Sequence, residues 1–131
     1  MKLSAAAGAA LLAACGSSPK LTSLRCQAAC QSAEDPFQLK LAVDFADPTG
    51  TLSTGVVTVK VNTTTQAVLQ LSSVFKASGV DPAATSGTLR LSPDVVLQTV
   101  QAGQTFDVSI VATDGDGAGS NEPKLTLGIS L

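Results

Sequence analysis

The chain has 131 residues, 8 basic and 10 acidic side chains for a net charge of -2, 3 cysteines, 4 phenylalanines, and no histidine, tryptophan or tyrosine. That length allows one domain, and without histidine there is no Ser-His-Asp hydrolysis, no Cys-His chemistry and no histidine-coordinated zinc. A slightly acidic chain with so few aromatic rings has neither the charge nor the stacking platforms for nucleic acid.

Residues 1–14 read as an export signal: one positive charge at Lys2, an apolar stretch from Leu3 to Leu12, then the small residues Ala13 and Ala14. The stretch is too short to span a bilayer, which takes about 20 apolar residues. Leu12-Ala13-Ala14-Cys15 resembles the lipobox of bacterial lipoproteins. The resemblance implies cleavage before Cys15, acylation of its thiol and of the new amino end with chains such as palmitate, and a protein held in the cell envelope by lipid. The competing reading is an Ala-rich signal with a chance cysteine. By the sorting rule of Gram-negative lipoproteins, Gly16 rather than Asp after the cysteine is compatible with the outer membrane. Two or more acyl chains give stable anchoring where one binds only reversibly.

An acylated Cys15 leaves Cys26 and Cys30, three residues apart in an oxidising compartment, and a local disulfide is expected. A thioredoxin-like redox pair would have two intervening residues and a βαβ context. Residues 15–36 then form the lipidated cysteine, a tether through Lys20 and a clamped segment ahead of the folded domain. Leu21, Leu24 and Ala28 have helical spacing, so a helical turn and an irregular first strand are both open.

From Phe37 the period becomes two. Leu39, Leu41, Val43 and Phe45 alternate with Lys40, Ala42 and Asp44; Val57, Val59 and Val61 alternate with Thr58, Lys60 and Asn62. Leu69 with Leu71, and Leu89 with Leu91, mark two shorter strands. Phe106, Val108, Ile110 and Ala112 form the next, and Leu125, Leu127, Ile129 and Leu131 the last. Turn residues separate them at 47–50, 62–65, 79–87, 101–103 and 114–123. The expected fold is all-β, an antiparallel sandwich of six to seven strands over residues 37–131.

The run from Val100 to Asp114 is similar to the E to F turn and F strand of fibronectin type III and related immunoglobulin-like domains, and residues 115–123 look like their F to G loop. Those domains usually carry a tyrosine where Phe106 stands, whose hydroxyl closes the corner; phenylalanine cannot make that bond. With Phe37 to Ala46 as strand B, loops 47–55, 76–87 and 114–123 meet at one pole, and the tether is expected at the other. The loops then face away from the membrane.

Those loops hold Asp47, Asp81, Asp114, Asp116 and Glu122, the candidate ligand surface. Calcium takes several carboxylate and carbonyl oxygens, and Asp114-Gly115-Asp116-Gly117 invites that reading. It fails as an EF-hand, with Ala118 at the fifth loop position and Leu125 at the twelfth, which leaves a site assembled across loops against plain turn chemistry. Asn62-Thr63-Thr64 matches the glycosylation triplet and reads better as a turn. Residues 79–87 suit a helical turn begun at Pro82 or a contact loop. No Gly-x-Ser-x-Gly elbow or Ser-x-x-Lys motif appears. The expectation is a non-catalytic binding or adhesion module with no cofactor beyond the Cys15 lipid, meeting an envelope protein or extracellular ligand. The alternative is a structural or assembly accessory of an envelope complex, and a remote third is an enzyme.

Overall fold

The computed structural model describes residues 18–31, 38–95 and 103–128. Among the described residues seven strands form two antiparallel sheets. The alternation at residues 39–45 builds β2 (Leu39–Ala46), with Leu39, Leu41, Val43 and Phe45 all buried. It lies between β1 (Lys20–Gln31) and β5 (Ser86–Leu91) in a three-stranded sheet of order β1-β2-β5. The facing sheet has order β4-β3-β6-β7, from β3 (Val56–Val61), β4 (Thr64–Gln70), β6 (Thr105–Thr113) and β7 (Lys124–Gly128). Val57, Val59, Val61, Phe106, Val108, Ile110 and Ala112 face inward from this sheet and pack on the β2 and β5 side chains. Sheet against sheet over one apolar core is the all-β antiparallel sandwich that the period-two patterning predicts. Ile129 and Leu131, expected to extend the last strand, lie outside the described residues.

Three expectations are corrected. The sandwich begins at Lys20, because the segment set before it is a strand: Lys20 pairs with Ala46, Leu21 with Phe45 and Gln31 with Leu39. Of the three residues with helical spacing, Leu21 is buried while Ala28 is exposed, so pairing with β2 overrides that spacing. β1 is irregular in two places. Ser23, at φ 55, sits where one extra residue enters between Thr22 and Arg25. A larger bulge separates Cys26 from Gln31, and the Cys26–Cys30 disulfide closes it. From within that loop Gln27 Nε2 donates to the Leu41 carbonyl at 2.9 Å.

The second correction concerns Leu71, grouped with Leu69 as strand. It opens helix α1 (Leu71–Ser78), whose Leu71, Val74 and Phe75 are buried. Spacing of three and four places these on one helical face, and the Phe75 ring meets Phe45 with centroids 5.1 Å apart. Gly79 ends the helix at φ +72, its N–H bonded to the Lys76 carbonyl, while Val80 N–H returns to Phe75. The helix carries the chain from one sheet to the other and covers the β5 edge, where Ser78 Oγ accepts the Arg90 N–H at 2.7 Å.

The connections after β2, after α1 and after β6 do meet at one pole. Asp47 N–H donates to the Thr85 carbonyl (2.7 Å), and the Ser53 hydroxyl to the Pro82 carbonyl (2.7 Å). Gly55 packs so closely on Thr113 and Asp114 that no Cβ fits there. The expected placement of the tether at the opposite pole is overturned. Lys20 lies beside Ala46, one residue from Asp47, and Leu21 is bonded to Asn121 of the 114–123 loop. An antiparallel β1 forces this, since it must run down from the end at which β2 finishes.

Candidate functional site

The acidic residues at the loop pole do different work. Asp47 has no exposed surface. Its Oδ2 accepts the N–H groups of Thr51 (2.9 Å) and Leu52 (2.8 Å), and its Oδ1 accepts the Thr49 hydroxyl (3.0 Å). It therefore supplies the acceptors that the start of the short 3-10 turn Leu52–Thr54 lacks internally. Asp114, also buried, accepts the N–H groups of Asp116 and Ala118 on Oδ1, both at 2.9 Å, and its own N–H donates to the Ala118 carbonyl at 3.0 Å. Asp81 accepts the Ala83 N–H at 2.8 Å and is exposed, as is Asp116.

Glu122 belongs to a different place. Its Oε2 accepts the Ser109 hydroxyl at 3.0 Å and lies 3.4 Å from Lys60 Nζ, on the outer face of the four-stranded sheet. Asp47, Asp81, Asp114 and Asp116 lie in the loops of the pole and Glu122 on a sheet face, so the five do not converge on one point. Among the described residues no group of three or more His, Cys, Asp or Glu side chains could hold a metal ion. Cys15 lies outside the described residues, and Cys26 and Cys30 are bonded to each other on β1.

Sequence reading missed the surface around Glu122. A cavity of about 310 Å³ is lined by Asn62, Thr63, Asp107, Ser109, Glu122 and Lys124. Register brings these together: Lys60 is opposite Ser109 on β6, and Ser109 is opposite Lys124 on β7. The hairpin turn at Asn62 and Thr63 forms one wall, with Asn62 Oδ1 accepting the Asp107 N–H at 2.9 Å. Asp107 Oδ1 accepts the Thr126 hydroxyl at 2.7 Å. Lys124, Asp107 and Glu122 in the lining, with the hydroxyls of Thr63 and Ser109, the Asn62 amide, and Lys60 beside Glu122, make a mixed polar surface. The signal for it was available in the outward positions of β6, where Asp107 and Ser109 alternate with the buried Phe106, Val108 and Ile110.

On the outer face of the other sheet the Thr88 hydroxyl donates to Asp44 Oδ1 at 2.8 Å, and Arg25 stands 3.3 Å from the same oxygen. The hydroxyl first, then the guanidinium, hold the Asp44 carboxyl below its ordinary value, against desolvation working the other way.

Set against protein-family models, curated proteins and solved structures, the chain finds no match.

Proposed function

We propose that the chain is a cell-envelope lipoprotein, acylated at Cys15, whose sandwich is a non-catalytic binding or adhesion module. The observation that carries this reading is Leu12-Ala13-Ala14-Cys15 standing behind a short apolar stretch and five residues ahead of Lys20, where β1 begins. Five residues reach at most about 18 Å, so an acylated Cys15 keeps Lys20 and its neighbours close to the lipid. The pole formed by residues 47–55, 79–85 and 114–123 then faces the membrane. The surfaces turned outward are the far pole, with the Asn62–Thr63 hairpin turn, and the two sheet faces, one of which carries the polar cavity.

Mass spectrometry of the membrane fraction, looking for acyl chains on Cys15, is the deciding experiment. Modified Cys15, and release of the protein to the soluble fraction by Cys15→Ala, are the expected results. An unmodified, soluble wild-type chain would overturn the anchor. For the binding surface, a pull-down from envelope extracts should lose its partner with Lys124→Glu and keep it with Asp81→Asn, since Asp81 is on the membrane side.

A further inference from the structure

We propose that the Cys26–Cys30 disulfide is a redox switch between two pairings of β1 with β2: looped while the cysteines are bonded, regular once they are reduced. The bridge and the sequence around it demand different structures. In Leu24-Arg25-Cys26-Gln27-Ala28-Ala29-Cys30-Gln31, apolar or small residues stand at 24, 26, 28 and 30, with the long polar side chains at 25, 27 and 31. That is the period of a strand with one buried face. The first half obeys it. Leu24 packs against the core, Cys26 stands opposite the buried Leu41, and Arg25 meets Asp44 on the outer face.

The second half does not. Beyond Cys26 opposite Leu41, the next pair is Gln31 opposite Leu39, so residues 27–30 all stand against the single Lys40. A strand rises about 3.3 Å per residue, which would set Cys26 and Cys30 about 13 Å apart, whereas a disulfide needs its Cα atoms within about 7 Å. They are 4.7 Å apart. Bridge and regular strand therefore exclude one another. The Gln27 side chain secures the looped form, its Nε2 donating to the carbonyls of Leu41 at 2.9 Å and Leu91 at 3.4 Å.

Without the bond, the register of Arg25 with Ala42 and Cys26 with Leu41 continues residue by residue, which brings Gln27 opposite Lys40 and Ala28 opposite Leu39. Ala28, exposed in the looped form, then joins the inner face against a buried leucine, and three residues pass from the loop to the connection ahead of Leu39. The pairs from Lys20 with Ala46 to Cys26 with Leu41 stay as they are, so the change is confined to one end of the sheet edge. The reductant is a dithiol. Its thiolate attacks one sulfur of the bridge, the other cysteine leaves as a thiolate and takes a proton, and the second thiol of the dithiol frees the first cysteine; two electrons and two protons pass to the chain and the dithiol ends as a disulfide. The switch does not depend on the Cys15 anchor.

The test is NMR of the full chain in a non-ionic detergent, before and after reduction with dithiothreitol. Leu39 is expected to lose its cross-strand contact with Gln31 and to gain one with Ala28. The double variant Cys26→Ala with Cys30→Ala keeps small residues on the inner face and is expected to show the Ala28 contact with no reductant present. Alkylation and mass spectrometry across dithiothreitol buffers give the ratio of bonded to reduced cysteines. Ala28→Asp, harmless where residue 28 is exposed but burying a charge in the regular strand, is expected to make the bond at least about tenfold harder to reduce. Gln27→Ala, which removes bonds that only the looped form makes, is expected to make it about fivefold easier. A contact between Gln31 and Leu39 that survives reduction, a β1 that leaves β2 beyond Cys26, or ratios unchanged in both variants would overturn the proposal.

Discussion

The Asn121 side chain pairs with both backbone groups of Leu21: its Oδ1 accepts the Leu21 N–H and its Nδ2 donates to the Leu21 carbonyl, each at 2.7 Å. The amide stands where a neighbouring strand's peptide would, and it ties β1 of one sheet to the loop leading into β7 of the other. Leu21 is buried, so losing the partner leaves two backbone groups without bonds in a site that water reaches poorly. Asn121→Ala is expected to cost about 2 kcal/mol, or a fall in melting temperature on the order of 10 °C for a domain of this size. Amide exchange at Leu21 should accelerate with it. Asn121→Asp keeps the acceptor and loses the donor, and should fall between the two.

Asp47 and Asp114 give the second prediction. Both carboxylates are committed to N–H groups of their own loops, so their role is to hold the pole in shape. Asp47→Ala is expected to destabilise by about 3 kcal/mol, because the buried Leu52 N–H and the Thr51 N–H both lose a charged acceptor. Asp81→Ala, at an exposed site, should cost well under about 1 kcal/mol. Adding calcium should leave the melting temperature unchanged. A rise of several degrees, abolished by Asp116→Asn, would mean that these loops reorganise around a cation.

These residues show where sequence reading succeeds and where it stops. The inward positions of β2, β3 and β6 follow from alternation alone, because a strand with one buried face must repeat every two residues. β1 is less legible, since its bulges break the period and its identity as a strand comes from β2, some twenty residues away. Helix α1 left a readable trace in Leu71, Val74 and Phe75 followed by Gly79, masked by the strand-like pairing of Leu69 with Leu71. The loops of Asp47, Asp81 and Asp114 meet at one pole while Glu122 lies on a sheet face, and composition cannot separate an aspartate that binds a ligand from one that caps a turn. That distinction lies in the direction of each carboxylate. Asn121 left no pattern at all, because a single side chain imitating a strand has no period.

Thr63 sits at φ +77 beside Asn62 at φ +50, in the two-residue turn between β3 and β4. Tight hairpin turns of this kind require positive φ at both central positions, which Asn tolerates and a β-branched residue resists. Thr63→Gly is expected to stabilise by about 1 kcal/mol, since glycine adopts this geometry without the side-chain clash. Thermal unfolding measures it. Asn62→Gly is expected to destabilise instead, through loss of the bond from the Asp107 N–H to Asn62 Oδ1.

Asp44 contributes to the acid limb of stability. Its carboxyl is held low by the Thr88 hydroxyl and by Arg25, so the folded state binds this proton less readily than the unfolded state. A depressed carboxyl contributes stability that is fully present above its unfolded value and is lost as pH falls through its folded value. The wild type should therefore lose stability across the acid range below the ordinary carboxylate value, and Asp44→Asn should flatten that part of the curve while lowering stability near neutrality. Thr88→Val, which removes the larger cause, should raise the Asp44 value and shift the loss toward higher pH. Arg25→Gln should shift it less. Titration of the Asp44 carboxyl by NMR in the three proteins checks the order, and a larger shift for Arg25→Gln than for Thr88→Val would make the ion pair, rather than the hydroxyl, the group that sets it.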